Sequence, residues 1–230
     1  MTVQVKRPIV VPGMMIAEGN YNSGEYVINE DSKFYSTIIG LLEMTEKNVD
    51  VIPLKSVYIP KVGDKVIGII TNYYLLSWSV DINSPYEAIL MAAGALAKPL
   101  EKPGPDLGKF LNIGDVIVAV VQKFDRLSNP QLTLKEPECG KVVRGTLVEL
   151  TPSKVPRLIG KKGSLINLIK KELDVKMVVG QNGRILIIGD NFEHEKMAAE
   201  IVRKVEIEAH VPGLTDRITK MIEEWKKHAG

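Results

Sequence analysis

The sequence is poor in residues that form disulfides, bind metals or stack: 230 residues include one cysteine, three histidines and 6% aromatics. The single cysteine, Cys139, has no partner for an internal disulfide, which favours a reducing, cytoplasmic setting. The longest apolar run, Ala88–Ala97, has ten residues, whereas a membrane span needs about 18. The run after Arg7 is broken by Pro12 and Gly13 and forms no signal-peptide core. We therefore expect no membrane association.

The residue groups that catalysis requires are also missing. No Walker A phosphate loop occurs. The three histidines, His194, His210 and His228, lack the spacing of metal ligands. Asp64 and Asp115 each follow a glycine before an apolar run, where turn residues are expected. The sequence therefore predicts no catalytic residue, no metal site and no cofactor.

Positive charge is concentrated in the C-terminal third, although the net charge of the whole chain is only +2. Residues 1–59 hold 5 basic and 7 acidic residues (net −2), residues 60–140 hold 8 and 9 (−1), and residues 141–230 hold 17 and 12 (+5). Lys154–Lys176 alone contains 7 basic and 2 acidic residues. A local excess of this kind is typical of a polyanion-binding surface, although a solvated basic helix face has the same composition.

Residues 1–59 predict a small β-rich domain. Three strands are expected, and turn-forming clusters at 19–24 and 29–33 separate them. The predicted strands are Tyr26–Glu30, Phe34–Leu42 and Asn48–Leu54. Because a unit of this size is marginally stable alone, we expect it to pack on a neighbour or a partner.

Residues 60–140 predict a small closed barrel. Gly63-Asp64 and Gly114-Asp115 each introduce a β-branched run, and the Pro/Gly-rich stretch Lys98–Gly108 is expected to be a loop. Five short strands without a long helix are typical of an OB-type barrel. Ala88–Ala97 is expected to pass from a strand into a short helix. The five predicted strands are Lys61–Thr71, Tyr73–Ile82, Tyr86–Leu90, Leu111–Phe124 and Gln131–Leu134.

Residues 141–230 change to helical periodicity. After a strand over Val142–Leu150 and a tight Gly160–Gly163 turn, apolar residues recur on one face of a helix up to Leu173. Asn182-Gly183 predicts a hairpin turn between two strands. The other predicted elements are strands Val175–Val179 and Arg184–Ile188 and helices Glu193–Ala209 and Thr215–His228.

The most informative motif is Gly160-Lys161-Lys162-Gly163, a GxxG sequence between two predicted helices. Glycines there let the backbone approach a sugar-phosphate chain. The following helix start presents N–H groups and a positive dipole end to phosphates, and the two lysines neutralise phosphate charge. KH domains hold about four nucleotides in this way. The predicted RNA-binding residues of this region are Lys154, Arg157, Ile159, Gly160, Lys161, Lys162, Gly163 and Lys170.

The barrel predicts a second RNA contact, because OB-type barrels stack bases on exposed aromatics beside basic residues. Tyr73 and Tyr74 are the predicted stacking residues; Trp78 and Phe124 are further candidates, although Phe124 is expected in the core. The predicted phosphate contacts are Lys65, Lys123 and Arg126. The fold class is thus multidomain, β-rich plus α+β: a small N-terminal β domain (1–59), a five-stranded OB-type barrel (60–140), and a type I KH domain with an extra C-terminal helix (141–230).

In this order and spacing, Val11-Pro-Gly13, Gly63-Asp64 and Ile159–Gly163 give the chain a resemblance to a known family. It resembles the archaeal RNA-binding cap subunits of the exosome that carry a KH domain. The resemblance implies a non-catalytic subunit that captures single-stranded RNA and feeds its 3′ end to a phosphorolytic 3′–5′ exoribonuclease ring. It further implies three copies per ring, with the N-terminal domain as the main ring contact and the barrels around the pore.

One departure from the family pattern and three alternative functions remain. Many barrels of this type carry a histidine on the RNA face, whereas here all three histidines lie in the C-terminal helical region. The same modules would also suit an RNA-binding transcription or translation factor. A ribonuclease in its own right is an alternative from a different functional class. A purely structural scaffold is the third alternative.

Overall fold

The structure, a computed structural model, describes residues 8–96, 107–209 and 211–229. By contacts the chain divides into two compact units, Met1–Ser56 and Val57–Gly230. The domain boundaries predicted at 59/60 and 140/141 stay predictions. Within the described residues, no helix combines the length and apolar character needed to cross a membrane.

The first unit is built from two small antiparallel-rich sheets, which confirms the predicted N-terminal β domain. Its strands are β1 (Ile9–Val10), β2 (Met15–Glu18), β3 (Asn22–Ser23), β4 (Val27–Glu30), β5 (Lys33–Ser36), β6 (Gly40–Met44) and β7 (Asn48–Pro53). One sheet has the order β1-β6-β7-β3 and the other β2-β5-β4. Phe34, Val49 and Val51 are among its buried residues.

One predicted strand of this unit is wrong. The run Phe34–Leu42 divides into β5 and β6, because the backbone turns between them. The Ser36 hydroxyl donates to the carbonyl oxygen of Ile38 at 2.7 Å. A hydroxyl that bonds nearby backbone competes with the strand ladder, so the alternating apolar pattern alone did not reveal the break.

The barrel comprises five strands, as predicted. They are β8 (Lys65–Tyr73), β9 (Ser77–Asp81), β10 (Ala88–Met91), β11 (Val116–Lys123) and β12 (Gln131–Thr133). Strand β12 pairs with both β10 and β11 and thereby closes the barrel. A short helix, α1 (Ala92–Ala95), follows β10 directly, which confirms the strand-to-helix prediction. The predicted loop Lys98–Gly108 lies mostly outside the described residues.

The KH domain follows the order strand, two helices, two strands, helix, as the type I prediction requires. A short strand, β13 (Gly140–Lys141), pairs with β11 and precedes it. The strands are β14 (Thr146–Glu149), β15 (Val175–Val179) and β16 (Arg184–Gly189), in the sheet order β14-β16-β15. The helices are α2 (Val155–Ile159), α3 (Ser164–Glu172), α4 (Phe192–Glu208) and the additional α5 (Leu214–Ala229). The first strand is shorter than the predicted Val142–Leu150.

Both faces of the central KH strand are buried, and they face different modules. Ile185 and Ile187 belong to the core formed with the helices. Leu186, which alternates with them, packs on Ile67 and Val118 of the barrel. Because successive side chains of a strand point to opposite faces, the sheet is held between its own helices and the barrel. The barrel and the KH domain therefore meet at a small buried apolar interface that is separate from the two cores.

Gly183, in the hairpin between β15 and β16, has no room for a side chain. Gly183 has φ +82°, and an added Cβ would lie 2.0 Å from the carbonyl oxygen of Leu150. Gly114 has a similar φ of +89° but open space around the same position. Gly114→Ala therefore carries only backbone strain, about 1 kcal/mol, whereas Gly183→Ala adds a backbone clash and should cost about 3 kcal/mol.

Urea denaturation of both variants measures the difference between them. Equal reductions in unfolding free energy would contradict the close approach of Leu150 to the hairpin.

Candidate nucleic-acid interface

The GxxG loop is a sharp turn between two helices. Helix α2 ends at Ile159, and the next residue, Gly160, has φ 75° and ψ 176°. The backbone then passes through left-handed conformations at Lys162 (φ 53°, ψ 30°) and Gly163 (φ 80°, ψ 12°) before α3 begins. A left-handed lysine is uncommon. Both lysine side chains of the loop are exposed.

The first glycine of the motif is required for a reason that differs from the sequence argument. A Cβ on Gly160 would lie 2.9 Å from the backbone nitrogen of Leu165 and 3.0 Å from its Cβ. Glycine therefore lets α2 and α3 approach each other closely. The prediction that this glycine opens the backbone to RNA stays a prediction.

The charged groups at the loop are available to a ligand. Neither Lys161 nor Lys162 forms an ion pair with any residue that the structure describes. The N-cap residue of α3 is Gly163, which has no side chain to cap the helix, and a helix start with free N–H groups attracts anions. The N–H groups of Gly160 and Gly163 bond within the turn, to the carbonyls of Pro156 and Gly160. Phosphate attraction at this loop therefore comes chiefly from the two ammonium groups and the helix end.

The apolar residues near the loop divide into core and surface. Leu165, Ile166 and Met177 are buried in the KH core. Ile159 and Val179 are only partly buried and pack against that core from its edge. Ile159 directly precedes Gly160 and is therefore a partly open apolar side chain at the loop.

The three remaining basic residues of the predicted KH site differ in their surroundings. The Arg157 guanidinium is exposed and contacts the carbonyl oxygen of Val211 at 3.4 Å. Lys170 is half-buried on α3. The Lys154 ammonium forms an ion pair with Glu206 of α4. An RNA contact by Lys154 stays a prediction, and it requires a phosphate to replace that carboxylate.

The predicted barrel residues lie at the two separate ends of strand β8. Lys65 begins β8 and Tyr73 ends it, so eight residue steps, roughly 26 Å, separate them. The Lys65 ammonium pairs with Glu138 at 2.8 Å. Lys123 and Arg126 are exposed beyond the Lys65 end, and Tyr74 follows Tyr73. The structure therefore brings the basic residues together but places both tyrosines elsewhere.

The burial of Trp78 and of Phe124 decides whether either ring can stack on a base. Trp78 is fully buried, and its indole Nε1 donates to the carbonyl oxygen of Leu111 at 3.0 Å. Its candidacy as a stacking platform was therefore wrong. Phe124 is half-buried against the barrel core and meets Tyr86 edge-on at 4.9 Å, which confirms the core expectation. Tyr73 and Tyr74 are 42% and 57% exposed and are the tyrosines that remain available for stacking.

Sequence reasoning missed the residues that join the barrel to the KH domain. Asn182 was predicted only as a turn residue, yet its side chain is fully buried and bonds to Ile67 and Ile82 of the barrel. Arg184 bonds to Asp81 in the same region. These pairs are about a hundred positions apart in sequence, so no local pattern signals them.

The fold and the loop together define a class of protein in which a small β-rich N-terminal domain is followed along the chain by an OB-type barrel and a KH domain. Residues 7–55 match the family model described as the exosome RNA binding protein RRP4 N-terminal domain, and residues 146–204 match the KH domain model. The chain is 44% identical to the exosome complex component Rrp4 of Thermofilum pendens over 97% of this chain and 96% of that protein.

A second relative and a solved structure agree with this match. The exosome complex component Rrp4 of Pyrococcus furiosus is 45% identical over 94% of this chain and 83% of its own length. A crystal structure assigned to an exosome complex RNA-binding protein is 38% identical, with a TM-score of 0.72 over 76% of this chain and 100% of that one. The chain therefore belongs to the Rrp4 family of exosome components.

The ion pair between Lys154 and Glu206 makes the stability of the chain depend on pH. Partial burial alone would raise the pKa of Glu206, but hydrogen bonds from Lys154 and Thr151 and the Lys154 charge outweigh it and hold the pKa below its usual range. A carboxylate with a depressed folded-state pKa contributes stability that is present above the unfolded-state pKa and is lost as the pH falls through the folded-state value. Glu206→Gln should therefore be less stable than wild type at neutral pH.

The difference in urea midpoint should shrink as the pH falls below about 4.3 and vanish in stronger acid. Glu200→Gln, an exposed position on the same helix, is the matched control and should follow wild type at every pH. A stability difference for Glu206→Gln that persists unchanged in acid would contradict the ion-pair account.

Proposed function

We propose that the chain is the non-catalytic RNA-binding cap subunit of an archaeal exosome, which captures single-stranded RNA and feeds its 3′ end to a phosphorolytic exoribonuclease ring. The observation that carries the RNA-binding part is the GxxG turn, with two exposed lysines free of ion pairs among the described residues, at an uncapped helix start. The exosome part rests on membership of the Rrp4 family, whose members are named as exosome complex components. That membership favours this function over a transcription or translation factor.

The KH groove is proposed to hold the backbone of a few nucleotides. Lys161 and Lys162 neutralise phosphates, and Arg157 and Lys170 extend the positive surface on either side of the turn. Ile159 lies where an unstacked base can contact an apolar side chain. Single-stranded RNA suits this geometry because its bases are free to be splayed out.

The barrel is proposed as the second contact. Lys65, Lys123 and Arg126 provide positive charge at the end of β8 that is next to the KH hairpin, while Tyr73 and Tyr74 offer exposed rings at the other end. A strand that reaches both ends would combine phosphate contacts with stacking, which is the usual mode of OB-type barrels.

The N-terminal unit carries an exposed apolar stripe that suits a protein partner. Met15 and Ile28 both pair with Tyr35 across the sheet β2-β5-β4, so the three side chains lie on one face. Met15 is 50% exposed and Ile28 is 53% exposed. We propose that this stripe contacts the ring subunits, with three copies of the chain per ring, in the cytoplasm.

The proposal that the chain has no activity of its own is supported by its chemistry. Within the described ranges, no group of three His, Cys, Asp or Glu residues could hold a metal ion. Burial raises the pKa of the Cys139 thiol, which disfavours the reactive thiolate. Purified protein with Mg²⁺ or with inorganic phosphate should leave a labelled RNA at full length; shortening of the RNA would support the ribonuclease alternative.

The GxxG loop is tested by reversing its charge. Lys161→Glu with Lys162→Glu should weaken binding of single-stranded RNA by tenfold or more, because attraction to two phosphates becomes repulsion. The slope of log affinity against log salt should become shallower by about 0.7 for each phosphate that the variant no longer neutralises. Fluorescence anisotropy over a range of salt concentrations gives both quantities.

The matched control is Lys220→Glu with Lys227→Glu, which changes the net charge equally at two exposed positions on α5. RNA affinity in this control should stay near the wild-type value. Equally weakened binding in the two double variants would show that net charge, and not the loop, drives binding.

The apolar stripe is tested by charge insertion. Met15→Glu with Ile28→Glu should reduce copurification with phosphorolytic ring subunits about tenfold, since buried charges are costly at an interface core. RNA affinity should be unchanged. Leu127→Glu with Val143→Glu, at two apolar positions that are 95% and 91% exposed in the second unit, is the control and should leave ring binding intact. Ring binding that survives the first pair of changes contradicts the proposed interface.

A further inference from the structure

The side-chain amide of Asn182 completes the hydrogen bonding of the barrel. It lies in the turn between β15 and β16 and is fully buried. Its Oδ1 accepts from the N–H of Ile67 at 3.2 Å, and its Nδ2 donates to the carbonyl oxygens of Ile67 at 2.8 Å and Ile82 at 2.9 Å. All of these partners lie in the barrel.

The amide takes a place that a strand residue would otherwise occupy. Strand β9 pairs with β8 up to the partners Ile69 and Asp81 and then ends. Two residues further along β8, the N–H and C=O of Ile67 would have no partner in β9. Because buried backbone groups require partners, a KH residue supplies what the barrel's own ladder lacks.

A second set of hydrogen bonds surrounds this amide. The Arg184 guanidinium, with 5% of its side chain exposed, donates to the carbonyl oxygen of Asp81 at 2.7 Å and to its carboxylate at 2.5 Å. Asn83 Nδ2 donates to the carbonyl oxygen of Asn182 at 3.1 Å, and the N–H of Gln181 donates to that of Lys65 at 2.8 Å. We call this set the barrel–KH lock. It holds two modules whose covalent connection is a short segment after Lys141.

Basic side chains lie on both sides of the junction that the lock fixes. Lys65, whose carbonyl oxygen belongs to the lock, is on the barrel side, and Lys170 of α3 is on the KH side. A hydrogen bond from Lys65, followed by the charges of Lys65 and Lys170, holds the pKa of Glu138 below its usual range, so both ammonium groups act on one exposed carboxylate. Along α3, Lys170 lies six residues, roughly 9 Å, beyond Ser164, where the helix begins after the GxxG loop. One basic side chain from each module therefore lies near Glu138 at the junction.

We infer that Asn182 and Arg184 are positioning residues for RNA binding: they fix the KH groove against the basic end of the barrel so that one RNA strand engages both. This inference rests on the proposed function. It implies a preferred substrate, namely a single strand longer than the few nucleotides that the KH loop holds. Two sites held at a fixed separation bind a strand that spans them far more tightly than either site alone, and preorganisation removes the ordering cost.

The test compares two RNA lengths in the full chain. The probes are oligouridylates of about 4 nucleotides, enough for the KH groove, and of about 20 nucleotides, enough to reach an OB-type barrel as well. The variants are Asn182→Ala, which removes the buried amide, and Asp81→Asn, which removes the carboxylate that pairs with Arg184 while leaving an oxygen to accept from the N–H of Asn83. The control is Gln181→Ala, because that side chain is exposed and only its backbone takes part.

Both lock variants should bind the short RNA as wild type does and bind the long RNA about tenfold more weakly. The salt slope for the long RNA should approach that for the short one, because the barrel no longer neutralises phosphates of the same strand. Faster hydrogen exchange at the Ile67 amide would verify that the lock has opened. Gln181→Ala should match wild type in every measurement. If Asn182→Ala fails to fold, Asp81→Asn decides.

The inference is overturned if an opened lock leaves long-RNA affinity unchanged, or if the affinities for both lengths fall by the same factor. In either case the proposed function stands, provided that wild type binds RNA and the loop double variant does not. If wild type binds neither RNA, the proposed function and the inference fail together.

Discussion

The backbone turn at Gly160–Gly163 is the constraint on which the functional surface depends. Two successive left-handed residues, Lys162 and Gly163, end one helical direction and begin another within four residues. Lys161 and Lys162 in this turn are both exposed to solvent. The same turn leaves α3 without a side-chain cap. Conformation, charge and helix end thus favour an anion at one place.

The loop alone holds few nucleotides, and the rest of the second unit determines what happens to the RNA beyond it. One face of the KH sheet is covered by helices and the other by the barrel, through Leu186 against Ile67 and Val118. A module packed in this way cannot swing freely on its linker. The separation between the KH groove and the barrel's basic end is therefore a property of the fold, and the buried amide of Asn182 is its most specific element.

Local sequence patterns predicted much of this architecture. The β-branched runs after Gly63 and Gly114 became β8 and β11, and the Gly-Lys-Lys-Gly turn lies between two helices as its flanking periodicity indicates. Local patterns did not predict the surroundings of residues whose contacts lie far away in the sequence. Trp78 belongs to the core because the barrel closes around it. Lys154 is paired because α4 returns beside it with Glu206.

The placement of the barrel's candidate residues was equally beyond a sequence pattern. Lys65 and Tyr73 are close in sequence, yet they lie at opposite ends of β8 because a strand is extended. The role of Asn182 is the clearest case, since an Asn-Gly pair signals a turn and says nothing of a partner over a hundred positions away. Such interactions follow from the assembled fold and not from propensity.

The most direct test of the central claim is the map of backbone amide chemical shifts as a short single-stranded RNA is added to the isotope-labelled chain. The account predicts that the largest changes occur from Gly160 to Leu165, with smaller ones at Val179 and Lys65. Changes that leave the GxxG turn untouched while RNA is bound elsewhere would contradict it.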